Sequence, residues 1–110
     1  MAAELPRIAW NDVPLEKITE MVLRRVVIEP GRMIVQSHVK RGAIVPIHTH
    51  AGEQWVQVVQ GALAISVGSE GRTLGEGELL RIPPRTPHGA EALDDCVIVD
   101  VRYGDVEFSG

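Results

Sequence analysis

A single cysteine, Cys96, excludes an intrachain disulfide. It sits in the run Cys96-Val97-Ile98-Val99, and free cysteine is among the most buried residue types, so an inert, packed thiol is expected there. No basic block occurs. The 11 Lys and Arg are interspersed with 15 Asp and Glu, a formal net charge of -4, and nothing points to nucleic acid. No apolar run approaches the length of a membrane span. The start, Met1-Ala2-Ala3-Glu4-Leu5-Pro6-Arg7, lacks a charged-then-apolar leader pattern, and a cytoplasmic location is the simple expectation. Internal repeats and low-complexity linkers are also missing.

Hydrophobic residues make up 45% of the chain and charged residues 24%, normal shares for a globular protein that exclude whole-chain disorder. The 110 residues suit one domain, with an N-terminal arm over 1–20 and a barrel over 21–110. A core of that size is adequate but not generous, so association between copies is expected to supplement it.

The punctuation is regular. Turn signals fall at Glu29-Pro30-Gly31, Lys40-Arg41-Gly42, Gln60-Gly61, Gly68-Ser69-Glu70-Gly71, Gly75-Glu76-Gly77, Pro83-Pro84 and Leu93-Asp94-Asp95. Segments rich in Val, Ile and Leu lie between them. They read as strands at 21–28, 33–39, 42–48, 54–59, 62–67, 79–82, 89–92 and 97–103. Short strands at about 8–12-residue spacing predict an all-β fold, a small antiparallel barrel or sandwich. Residues 15–23 are the only helix candidate; their β-branched continuation favours a strand.

The chemistry centres on His48-Thr49-His50. Residues two apart in a strand share a face, so both imidazoles are expected side by side. Gln54 returns to that face if the strand path continues through Ala51-Gly52. His88 lies 38 residues beyond His50, behind the rigid Pro83-Pro84-Arg85-Thr86-Pro87. Three imidazoles and an amide oxygen suit one divalent transition metal: Zn, Ni, Fe, Mn or Cu.

These spacings resemble the cupin superfamily. Its first motif runs Gly, five residues, His-x-His, three or four residues, Glu, six residues, Gly. Here Gly42 leads to His48-Thr49-His50-Ala51-Gly52-Glu53-Gln54 and on to Gly61. Its second motif runs Gly, five residues, Pro-x-Gly, two residues, His, three residues, Asn. Here Gly77 leads through Pro83-Pro84-Arg85-Thr86-Pro87 to His88. The resemblance implies a jelly roll, the double-stranded β-helix, with metal ligands at His48, His50, Gln54 and His88. Three positions depart from the pattern. Seven residues before Gly61 stands Gln54 in place of the acidic ligand, Arg85 replaces the glycine, and Ala92 replaces the asparagine. Glu53 takes the ligand position instead if a bulge lies near Gly52.

Within that superfamily the chain is similar to the small pectin-degradation cupins, which convert cyclic 4,5-unsaturated uronates to linear ketonised sugars. The resemblance implies a catalytic acid at Asp100. Arg102 stands where those proteins carry an aromatic residue, and it suits a sugar carboxylate as a substrate-binding group. A plain cross-strand ion pair explains Asp100 and Arg102 equally well. His38, on a face with Ile34 and Gln36, is a further candidate for substrate binding, against the alternative of a solvent-exposed or hydrogen-bonded histidine. Met33 and Val35 are expected to pack, and Arg24 and Arg25 to be solvated, with reach to an anionic substrate as the alternative for one of them.

Three functions are consistent with this: a metal-dependent lyase or isomerase on a small anionic sugar acid, a metal-dependent dioxygenase of a small organic molecule, and a non-catalytic sugar-binding or sensing module. The expected assembly is a homodimer, with Trp55, Val59, Leu63 and Ile65 as an outward apolar set and Trp10 covering a neighbour.

Overall fold

Valine, isoleucine and leucine between glycine turns build almost nothing but strands. A computed structural model describes residues 7–104; the segment 1–6, read above for a leader, lies outside the described residues. After one 3-10 turn at Trp10–Asp12 come β1 (Glu16–Thr19), β2 (Val22–Glu29), β3 (Arg32–Val39), β4 (Ile44–His48) and β5 (Gln54–Gln60). Then follow β6 (Leu63–Val67), β7 (Glu70–Leu74), β8 (Leu79–Ile82), β9 (His88–Ala92) and β10 (Cys96–Tyr103). They form a six-stranded sheet ordered β1-β2-β3-β10-β5-β8 and a four-stranded sheet ordered β4-β9-β6-β7. Each pairing is antiparallel, giving the all-β jelly roll expected from the sequence.

The core lies between the sheets and follows the two-residue alternation of the strands. Val56 and Val58 of β5 and Cys96 and Ile98 of β10 meet Leu63 and Ile65 of β6, Leu74 of β7 and Ala92 of β9. Met33 and Val35 are buried as packing residues. The Cys96 thiol is buried against the carbonyls of Ala62 and Asp94.

Three expectations need correction. Leu63 and Ile65 face the core, not a partner. The chain passes from the six-stranded to the four-stranded sheet at Gly61, so the inward phase of β5 does not carry over to β6. Only glycine fits this crossing: Gly61 has φ +88, and a Cβ there would lie 2.3 Å from the Asp95 carbonyl oxygen. Second, the turn at residues 68–71 is shorter than expected. It occupies Gly68 and Ser69, and β7 begins at Glu70. This edge strand exposes all but Leu74, so it carries almost no apolar signal. Third, Arg25 is not simply solvated. Its guanidinium donates to the carbonyls of Trp10 and Val13, pinning the arm. The arm's last residues add β1 to the edge of the larger sheet.

Candidate metal centre

β4 and β9 pair with His48 directly opposite His88, which brings their rings to 4.3 Å between centroids. β4 ends at His48, and His50 lies two residues beyond it, just before the bend at Ala51-Gly52. The His48 and His50 rings nonetheless lie near each other, 5.9 Å between centroids, and the His50 ring is 4.7 Å from that of His88. Two contacts hold it. Gly52 packs so closely on β10 that a Cβ there would fall 1.6 Å from the Tyr103 carbonyl oxygen. The Arg85 amide donates to the His50 carbonyl at 2.9 Å, tying this bend to the turn before His88. Arg85 adopts φ +55, the left-handed conformation its motif assigns to glycine.

Backbone carbonyls orient all three rings. Nδ1 of His48 faces the Pro46 carbonyl at 2.9 Å, that of His50 the Gly52 carbonyl at 3.0 Å, and that of His88 the Thr86 carbonyl at 2.8 Å. Each carbonyl accepts from Nδ1–H, which leaves each Nε2 as a lone pair. One ligand nitrogen from each ring lies within 4.8 Å of the other two.

Gln54 and Asp100 complete the arrangement. Gln54 Nε2 donates to Asp100 Oδ2 at 2.8 Å, so its Oε1 turns toward His50 Nε2 at 2.7 Å. A neutral imidazole has one N–H and cannot donate to both Gly52 and Gln54. A cation between these two lone pairs resolves that conflict. His88 Nε2 is buried and has no hydrogen-bond partner among the described residues, which a metal also resolves. Three nitrogens and one amide oxygen, with ring tautomers set by their outer hydrogen bonds, fit a divalent transition ion. Glu53 is turned away: it accepts from Trp55 Nε1 at 2.7 Å and from Arg81 at 2.8 Å. These bonds, that from Arg81 foremost, hold its carboxyl below the usual range.

The same alternation brings Asp100 inward on β10, two residues from Arg102 and level with Val56 of β5. Arg102 Nε donates to Asp100 Oδ2 at 3.3 Å. Burial pushes the Asp100 carboxyl above its ordinary pKa, against the charge of Arg102 and the hydrogen bonds from Arg102 and Gln54. Burial likewise lowers His88 most, with the neighbouring His48, His50 and Arg102 adding to it and the Thr86 carbonyl opposing.

These groups face an inner cavity of about 190 Å³. His48, Gln54, His88, Asp100 and Arg102 line it, as do Arg24 and Ser37, among valine, isoleucine and alanine side chains. Larger grooves of about 550 and 450 Å³ have no residue of the three-histidine cluster in their linings. His38 belongs to the second of these, beside Lys17 and Val97. The structure does not bring it to the cluster, because β3 turns Met33, Val35 and Ser37 inward and His38 the other way, where its Nε2 lies 3.1 Å from Gln36 Oε1.

Gly52 and the Arg85 amide are site residues that sequence reasoning missed, and Arg24, expected to be solvated, lines the inner cavity instead. Arg24 was legible as a charge in the inward phase of Val22 and Val26. Gly52 and Arg85 act through backbone, for which side-chain chemistry gives no signal.

Comparison with known proteins bears on the family and the fold. Residues 35–102 match the family described as Cupin domain. The chain is 28% identical over 95 residues to the oxalate decarboxylase OxdC of Bacillus subtilis (strain 168), covering 82% of this chain and 25% of that protein. It thus spans about a quarter of that relative's length. A solved structure of the same enzyme, with Mn(II) centers, superposes with TM-score 0.81 at 20% identity, over 98% of this chain and 32% of that one. The structure of KdgF from a Halomonas species gives TM-score 0.81 at 29% identity, covering 88% of this chain and 91% of that one. An RmlC-like cupin from Shewanella frigidimarina NCIMB 400 gives 0.82 at 23% identity, with 88% of each chain covered.

Proposed function

The chain belongs to the Cupin domain family, and on that premise we propose that it is a metal-dependent enzyme that linearises small 4,5-unsaturated uronates. One observation carries the reading: His48 and His88 of the three-histidine cluster, a buried carboxyl group and two guanidiniums line a single inner cavity. The similarity to KdgF over most of both chains supports it, as does the resemblance to pectin-degradation cupins in the His48, His50, Gln54, His88 pattern. A cavity of about 190 Å³ is of a size for a monosaccharide.

His48, His50, Gln54 and His88 would hold one divalent ion, which when bound supplies a Lewis acid that polarises a substrate oxygen. Asp100 carries the proton. Burial raises its proton affinity, so once ionised it is a competent base toward the anomeric hydroxyl. Removal of that proton lets the C1–ring-oxygen bond break. The bonding pair passes to the ring oxygen, an aldehyde forms at C1, and the resulting enolate takes the proton back at C4 to give the ketone. One proton leaves and one returns, so no oxidant is needed. Gln54 and Arg102 hold Asp100 in place. The proposed assembly is a homodimer through the exposed Trp55 and Val59 face of the larger sheet.

The test uses untagged protein loaded in turn with Zn, Ni, Fe, Mn or Cu, and 4,5-unsaturated galacturonate as substrate. Loss of the conjugated double bond's ultraviolet absorbance is expected with at least one metal. Asp100→Asn should retain metal and lose about 10²–10⁴-fold in rate. An unchanged spectrum with every metal would sink the proposal. Oxygen uptake would move the assignment to a dioxygenase, and oxalate serves as the control substrate.

A further inference from the structure

The family pattern puts a carboxylate at the fourth ligand position, and this chain puts Gln54 there. The exchange removes more than a charge. A carboxylate offers an oxygen whichever way it turns, whereas an amide has an oxygen at one end and N–H groups at the other, and only the oxygen can ligate. A half-turn of the Gln54 amide would bring its Nε2 to His50 Nε2, which lies 2.7 Å from Oε1. An N–H would then donate to that lone pair and cap the ligand nitrogen. The site therefore needs a group that selects the end.

Gln54 and Asp100 are both buried, 6% exposed each, so little water reaches the amide to satisfy it. Asp100 Oδ2 accepts from Gln54 Nε2 at 2.8 Å and from Arg102 Nε at 3.3 Å. Arginine only donates, so Arg102 holds Oδ2 as an acceptor from the other side. An acceptor fixed at that point admits the N–H end of Gln54 and rejects the oxygen end, where two sets of lone pairs would meet in a desolvated space. The register sets this up: Arg102 pairs with Gln54 across β10 and β5, and Asp100 comes two residues earlier on the same inward face of β10. We propose that Asp100, besides the proton transfer put forward above, is the positioning residue of the metal centre: through Oδ2 it selects the amide end that Gln54 presents to the three histidines. A glutamate at position 54 would need no such selection. The selection does not depend on which reaction the metal serves.

The probe is Ni alone, titrated into untagged, metal-stripped protein against a competing chelator with no substrate present. Asp100→Leu removes the acceptor at similar size and should weaken Ni by about 10–100-fold, the scale of a lost orienting group. Asp100→Ala carries the same expectation should the leucine variant not fold. Asp100→Asn keeps an oxygen where Arg102 demands an acceptor, and should hold Ni about as tightly as wild type. The deciding comparison is made in Gln54→Glu. Both ends of a carboxylate ligate, so adding Asp100→Leu to Gln54→Glu should not weaken Ni relative to Gln54→Glu alone. A similar loss in both backgrounds would make Asp100 a packing residue and overturn the proposal. A loss in Asp100→Asn equal to that in Asp100→Leu would also overturn it, since charge rather than the acceptor would then draw the ion. So would undiminished affinity in Asp100→Leu. Turnover is not read in these titrations, so failure of the uronate reading and failure of the positioning role are scored separately.

Discussion

At the scale of single residues, Arg85 and His88 show opposite uses of the backbone around the cluster. Arg85 occupies φ +55, where a Cβ costs about 1–2 kcal/mol and glycine does not. Part of that gain is lost to the greater freedom of glycine in the unfolded chain. Arg85→Gly is therefore expected to stabilise the protein by about 1 kcal/mol in urea unfolding, with metal content unchanged. A loss of stability would show that the arginine side chain contributes more than its backbone costs. His88 is depressed below 6.5 by burial, so on acidification the unfolded chain takes up its proton first. Its contribution is fully present above pH 6.5 and lost as pH falls toward the lower folded value. Asp100 works the other way. Raised above 3.8, its contribution is fully present below that pH and lost as pH rises through the folded value. Metal-free wild type should thus lose stability below pH 6.5 more steeply than His88→Gln, followed by thermal melting across pH. Parallel profiles would refute the assignment.

Between elements, the contact of Gly52 with the end of β10 decides where His50 sits. A methyl group at Gly52 would overlap the Tyr103 carbonyl, 1.6 Å from its oxygen, so Gly52→Ala must move the bend. The expected result is a loss of about 10–100-fold in metal affinity, the scale seen when groups orienting a ligand are disturbed, with the strand content unchanged by circular dichroism. Wild-type affinity would mean that the bend adapts at no cost. The paired strands and the inward phase of Gln54, Val56 and Val58 were legible, because apolar alternation writes burial directly into sequence. So was the convergence of His48 and His88. The route of His50 was not, since it depends on a bend fixed by a strand distant in sequence. Nor was β7, whose edge position leaves four of its five residues exposed. The inward phase of Leu63 and Ile65 was misread because alternation restarts where the chain changes sheet.

For the whole molecule, Trp55, Val59 and Leu79 remain exposed by 37%, 45% and 57% on the outer side of the larger sheet. A second copy covering them would supplement a small core. Light scattering at high concentration is expected to give twice the chain mass, and Val59→Lys with Leu79→Lys should halve it. A monodisperse wild-type monomer would refute the assembly. The hydrogen bond from the Arg85 amide to the His50 carbonyl has a further consequence, for the order of events in folding. It joins segments that meet only after β5 to β8 have been threaded between them. Closing so long a loop is slow, and no complete coordination set exists until it is done. Metal should therefore act late, leaving the refolding rate nearly unchanged while slowing unfolding, so that a bound ion works as a latch on the finished barrel rather than as a nucleus for it.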